Sequence, residues 1–248
     1  MSSPASKVAL ILGAGPNIGK HVAGALSAKG YKVALASRTN HGTAGDQIYV
    51  PVDLARPDTV AGVFDQVKDQ LGAPPSVVVY NGALRIPNDA ADPLSTSSFK
   101  IQDYDDSVAV NTTSAIVALQ HAVAGFRSLP QSPNATAETK TFIFTGNILN
   151  VVPVPGVLTF GVTKAATAYA IRNLVETKAY EKDGVRFYYA DERAENGGPV
   201  FKDIDGPAAA VEYLHLVEQK DQGPWLHTFI KGKGYKDFGE RPWTPGQK

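Results

Sequence analysis

Along this chain, short apolar runs alternate with longer stretches in which apolar residues return every third or fourth position. The runs at 8–12, 32–37, 47–52, 76–80, 141–145, 185–190 and 226–230 are of strand length, and most are apolar almost throughout rather than at every second residue. That pattern predicts strands buried on both faces, as in a parallel sheet. Helical periodicity fills most of the gaps, at 18–29, 57–71, 103–129, 161–182 and 207–220. The alternation predicts an α/β, doubly wound parallel sheet of about seven strands with helices on both faces. With no internal repeat and no linker, residues 1–248 are expected to form a single domain. Two polar loops, 84–102 and 191–206, each follow a strand, where ligands bind in such sheets. A third, 131–140, follows a helix and is expected to be a plain surface loop.

Composition narrows the function. Lys+Arg and Asp+Glu are both 24, so no basic excess points to nucleic acid or an anionic membrane. Cysteine is absent, which excludes disulfides, thiolate metal sites and a Cys nucleophile; no metal site is expected. The N-terminus is polar, and the first apolar run is too short for a signal peptide or a membrane span, so a cytoplasmic location is expected.

The first strand runs into Gly13-Ala-Gly15-Pro-Asn17-Ile18-Gly19 and then a helix. Glycines there permit a tight turn and close backbone approach, so that the helix N-terminus faces a pyrophosphate. Strand two ends in Ser37-Arg38, where NAD-preferring proteins carry an acid for the ribose 2′-hydroxyl. Arg38 instead suits a 2′-phosphate, and Ser37 adds a hydroxyl, so NADP(H) is the expected cofactor.

The stretch Thr145-Gly-Asn147 … Phe160-Gly-Val-Thr-Lys164, taken with the glycine turn, resembles the short-chain dehydrogenase/reductase family, Rossmann-type dinucleotide-binding enzymes with a catalytic Ser and, thirteen residues later, a Tyr-x-x-x-Lys. In that alignment Phe160 takes the Tyr slot, Asn147 the Ser slot and Lys164 the Lys slot. The family's Thr-Gly-x-x-x-Gly-Ile-Gly turn is matched with Leu12 for Thr and Asn17 for the middle Gly; Asn is the least costly non-glycine residue at positive φ. Val52-Asp53-Leu54 resembles the adenine-contacting Asp-hydrophobic pair, although Asp53 equally suits a turn or N-cap. Asn81-Gly82-Ala83 resembles the segment that lies against the cofactor, and Asn111 the helix-four Asn that holds a water in the proton relay. The resemblance implies that Lys164 binds the nicotinamide ribose. It also implies a homodimer or homotetramer through the helices at 103–129 and 161–182, and a small-molecule substrate. Around strand six, Glu192 and Arg193 fill the family's Pro-Gly slots, and Gly197 that of the Thr which binds the carboxamide.

Phe160 cannot donate a proton, and the Asn147 amide can offer only a hydrogen bond. A positioned acid is worth roughly 10²–10⁴-fold in rate. Three readings follow. Another group supplies the proton, the candidates being Tyr80, Tyr188, Tyr189, Asp191 and Glu192. Or the substrate is an iminium that needs no acid, its charge favoured by Asp191. Or the protein binds NADP(H) without turning it over, as a scaffold, sensor or partner subunit.

Overall fold

The computed structural model describes residues 7–129, 139–239 and 243–246. Seven parallel strands form one sheet: β1 (Val8–Leu12), β2 (Lys32–Ser37), β3 (Gln47–Pro51), β4 (Val77–Tyr80), β5 (Lys140–Thr145), β6 (Val185–Glu192) and β7 (Leu226–Ile230). A short β8 (Gly234–Tyr235) adds antiparallel to β7, so the order is β3-β2-β1-β4-β5-β6-β7-β8. The order reverses direction between β1 and β4, and ligands of doubly wound sheets bind beyond the carboxyl ends of the strands there.

Side chains alternate along each strand, so β1 feeds two cores. Val8, Leu10 and Leu12 join the cluster under α2 (Val60–Leu71), α4 (Ser114–Ser128) and α5 (Leu158–Glu176). Ala9 and Ile11 join the cluster under α1 (Ile18–Ala28) and α6 (Gly206–Glu218). Helices therefore cover both faces, as the unbroken apolar runs predict.

The boundaries differ from the sequence reading in three places that matter. The segment expected as one helix at 103–129 is α3 (Ile101–Val108), a π-helical turn at Ala109–Thr113, and α4. The wider turn surrounds Asn111, whose carbonyl accepts from Thr167 Oγ1 at 2.7 Å and whose amide is bound from outside the helix. Next, α5 starts at Leu158 rather than 161, which puts Phe160 inside its first turn. Finally, β6 runs on to Glu192. Asp191 and Glu192, expected in a loop, pair in register with Thr228 and Phe229 of β7. Most of the loop expected at 131–140 lies outside the described residues.

Candidate active site

The glycine turn is built by close approach. Gly13 has φ +83°, and a Cβ on it would lie 2.4 Å from the Gly82 nitrogen. A Cβ on Gly19 would lie 2.8 Å from the Ala14 Cα, so α1 packs onto the turn only with glycine there. Gly15 differs, since nothing lies within 4 Å of the space its Cβ would take. The first turn of α1 carries no side-chain cap and no acid. Open space beside uncapped helical N–H groups fits a phosphate anion. Asn81 pins the facing segment, its Nδ2 donating to the Gly13 carbonyl at 2.8 Å and its backbone N–H to that of Leu12 at 2.7 Å. Leu54 packs over Gly82, where a Cβ would meet its Cδ1 at 2.2 Å.

Asn17 does something other than replace a positive-φ glycine. Its φ is −94°, so no left-handed conformation is needed there; among the glycines of the turn that burden falls on Gly13. The Asn17 side chain reaches across to the segment before α6. Its Nδ2 donates to the Ile204 carbonyl at 3.0 Å, and its Oδ1 accepts from the Gly206 N–H at 2.9 Å. Ile18 lines the adjoining cavity.

At the other end, Arg38 is exposed and has no hydrogen-bond or ion-pair partner among the described residues. The Ser37 hydroxyl donates to the Thr39 carbonyl at 2.7 Å, leaving its oxygen to accept. Asp53 makes a turn, Oδ1 accepting from the Ala55 N–H at 3.1 Å.

Between these strand ends and the segment before α6 lies a cavity of about 720 Å³, walled mostly by apolar side chains. Phe160, Asn147, Lys164 and Asp191 all line it, so the three slots of the 145–164 stretch do converge. Asn147 spends Oδ1 on the Leu149 N–H at 3.0 Å, which leaves Nδ2 as a donor without a protein partner among the described residues. Lys164 is 2% exposed, and its ammonium donates to the Thr145 carbonyl at 2.9 Å. It lies 4.3 Å from the ring centre of Phe144 and 5.5 Å from that of Phe160. Burial draws its pKa from 10.5 down to about 7, against the upward pull of the Asp191 carboxylate.

Asp191, 2% exposed, is paired with the equally buried Arg193, Nε to Oδ2 at 2.5 Å. Arg193 Nη1 in turn donates to the Gly197 carbonyl at 2.9 Å. Burial lifts Asp191 to about 6, while Arg193 and Lys164 hold it down. Glu192 also lines the cavity, and its Oε2 accepts from the Asp205 N–H at 2.8 Å.

The tyrosine candidates are sealed away. Tyr80 and Tyr189 stack on either side of Phe144 in the core. Tyr80 donates to the Val110 carbonyl at 2.5 Å, and Tyr189 to that of Asn147 at 3.0 Å. Tyr188 lies on the opposite face of the sheet and donates to Gln219 Oε1 at 2.9 Å. Asn111 is wholly buried and outside the cavity wall. Its Nδ2 lies within hydrogen-bonding reach of the Leu84 carbonyl, Ser107 and Thr163, and its Oδ1 accepts from the Leu84 N–H. It ties the loop after β4 to α5. Tyr213 was missed in the sequence: it sits in α6, lines the cavity and donates to Thr145 Oγ1 at 2.8 Å. Arg85, at the mouth, was missed too; only its place three residues beyond Gly82 marks it.

The sequence pattern of short chain dehydrogenases matches residues 7–190. The chain belongs to that family. It is 40% identical over 247 residues to the short chain dehydrogenase/reductase dmxR12 of Cryptosporiopsis sp. (strain 8999), covering 96% of each chain. Solved structures of similar fold include the NADH-dependent reductase A1-R′ complexed with NAD, at TM-score 0.74 and 19% identity over 91% of this chain and 94% of the other. A metagenomic short-chain oxidoreductase in complex with NADP matches at TM-score 0.72 and 19% identity, covering 90% of this chain and 96% of that one. A family protein from Francisella tularensis subsp. tularensis SCHU S4 has TM-score 0.72 at 16% identity, with 92% and 98% covered.

Proposed function

We propose that the protein is a reductase that takes its reducing equivalents from a nicotinamide dinucleotide, with NADP(H) preferred, and acts on a carbonyl, imine or activated alkene. The observation that carries this is Lys164, kept in the Tyr-x-x-x-Lys register and buried in the cavity wall beside Phe160. A charged lysine costs stability in an apolar wall, so its retention fits a task there.

The residues that would hold the cofactor are the Gly13–Gly19 turn at the pyrophosphate, Arg38 at a 2′-phosphate, Asp53 and Leu54 toward adenine, Asn81 and Gly82 beneath the turn, and Lys164 at the ribose. Bound there, it would supply a hydride. The chain itself supplies an apolar cavity that excludes water, an Asn147 amide N–H for a developing oxyanion, and the Lys164 ammonium. Asn111 positions these groups by joining the loop after β4 to α5. The Asp191 carboxylate is already shared between Arg193 and Lys164, which leaves less electrostatic support for an iminium and favours a carbonyl.

The second reading is a redox-silent NADP(H)-binding protein, and what favours it is Phe160 together with the sealed tyrosines. Titration with NADPH and NADH, followed by cofactor oxidation across carbonyl, imine and activated-alkene panels, separates the two. Tight binding with no oxidation on any panel refutes the reductase. A homo-oligomer through α4 and α5 belongs to the same proposal, supported by Ile116, Val162 and Tyr169 exposed on those helices. A monomer in sedimentation equilibrium refutes it. Among the described residues no helix is long and apolar enough to cross a membrane.

A further inference from the structure

We propose that Lys164 itself is the proton donor of the cavity, reaching the substrate oxygen directly or through one water, with Asp191 as the positioning residue that governs its charge. The inference rests on the reductase reading and adds the missing acid.

It starts from which groups in the cavity wall can release a proton. Tyr80, Tyr188 and Tyr189 do not line the cavity. Tyr213 does, but its hydroxyl is committed to Thr145 Oγ1. Burial and the carboxylates of Asp191 and Glu192 all oppose the phenolate it would leave, and they hold its pKa well above the usual range. Asp191 is engaged by Arg193, and Glu192 holds the Asp205 N–H. Arg85 does not deprotonate. Lys202 is an exposed residue of the rim, not of the buried wall.

Lys164 has both the geometry and the poise. An ammonium has three N–H donors, and among the described residues only the Thr145 carbonyl takes one of them. Attraction to the rings of Phe144 and Phe160 holds the cation in place, while its burial favours the neutral amine that proton release would leave. The titratable groups around it are Asp191 and Arg193 from β6 and its end, Tyr213 from α6, and Glu192 farther along β6. Of these, the Asp191 carboxylate favours the charged form of Lys164, against its burial. A group that titrates near neutrality is well matched to acid catalysis at neutral pH. The Phe160 ring, its centre 5.5 Å from Nζ, carries no hydroxyl to take one of the Lys164 donors.

The step balances simply. The carbonyl carbon gains a C–H bond with the electron pair of the hydride from the reduced dinucleotide, and the π electrons move to oxygen. That oxygen forms an O–H bond as an N–H bond of Lys164 breaks. The neutral amine then recovers a proton from solvent through the cavity mouth. Carbonyl is reduced, the dinucleotide is oxidised, and one solvent proton is consumed.

The test uses the full chain with NADPH and an activated ketone, read in single turnovers from about pH 6 to about pH 9. Wild type should slow as pH rises through the neutral range. Asp191→Asn should move that limb to lower pH, because the carboxylate that favours the ammonium is gone. Lys164→Arg, which keeps N–H donors for the ribose but changes their placement, should weaken NADPH binding and, at saturating NADPH, still lose ~100-fold or more in rate, since guanidinium releases no proton. If the variants fold poorly, nitrogen NMR of labelled lysines in wild type decides: the Lys164 amine should titrate near neutrality, before and after NADPH is added. A flat pH–rate profile, an active Lys164→Arg, or a Lys164 that titrates like a surface lysine would overturn the proposal and leave the reductase standing. Absence of turnover on every panel in a protein that binds NADPH overturns both.

Discussion

Replacing Lys164 by Met should stabilise the protein at pH 6 and destabilise it at high pH. Burial draws the ammonium from 10.5 to about 7, a displacement equivalent to about 5 kcal/mol between its charged and neutral forms. The sign follows from proton counts. Below about pH 7 the native and unfolded states both carry the proton, and the native state bears the full cost of burying it. As pH rises from about 7 toward 10.5, the native lysine sheds its proton while the unfolded chain keeps it, so the wild type gains stability. Met fills a similar volume without charge, so it escapes that cost but leaves the Thr145 carbonyl without its donor, a loss of about 1–3 kcal/mol. Loss of the cation also lets Asp191 rise further, which trims the gain. The net expectation is about 2 kcal/mol of added stability at pH 6 and a deficit of about 1–3 kcal/mol near pH 10. Urea unfolding followed by tryptophan fluorescence, without cofactor, measures both. A Met variant destabilised by the same amount at both pH values refutes the reasoning, because it would mean that Lys164 is not strained by burial.

Other substitutions probe separate parts of the site. Arg38→Asp should lower NADPH affinity by roughly ten- to a hundredfold, the value of one charge-assisted hydrogen bond, and erase any preference over NADH in a binding titration. Phe160→Tyr combined with Asn147→Ser should raise ketone reduction with NADPH, since Phe and Tyr differ by one oxygen and the new phenol lies near Lys164; a double variant that binds NADPH yet gains nothing would contradict the placement. Asn17→Ala removes two hydrogen bonds to the segment before α6, and should cost about 1–3 kcal/mol. It should also speed limited proteolysis within 199–205; an unchanged cleavage rate would show that the tether carries no load.

Much of the fold is legible in the sequence because strand-length apolar runs recur between segments of helical period. A run such as VALIL, apolar at every position and followed at once by a glycine turn, suits a strand covered on both faces, as in a parallel sheet. The reading fails where long-range contacts override local pattern. Asp191 and Glu192 look like the start of a loop, since two acids normally end a strand. They extend β6 because Arg193 neutralises one and the Asp205 N–H occupies the other. The π-helical turn at Asn111 is equally invisible, since it depends on Leu84 and Thr167. Tyr213 carries no local mark; helix periodicity makes it a core residue, and only the fold brings its hydroxyl to Thr145.

The bond from Asn17 to Gly206 also bears on how this scaffold can be engineered. A Cβ at 206 would lie 2.4 Å from the Asn17 oxygen, 2.6 Å from His21 Nδ1 and 2.9 Å from the Asn17 backbone carbon, so α6 starts against α1 only with glycine at 206. The Asn17 side chain bonds only backbone groups there, the Ile204 carbonyl and the Gly206 N–H, so the anchor tolerates many side chains before residue 206 but none at it. A chimera that imports the 191–206 segment from a relative keeps this anchor as long as Asn17 stays and the graft ends in glycine, whereas one with a side chain at 206 would push the glycine turn out of shape. Substrate range on this scaffold can therefore be altered by exchanging that segment alone, provided its last residue stays glycine.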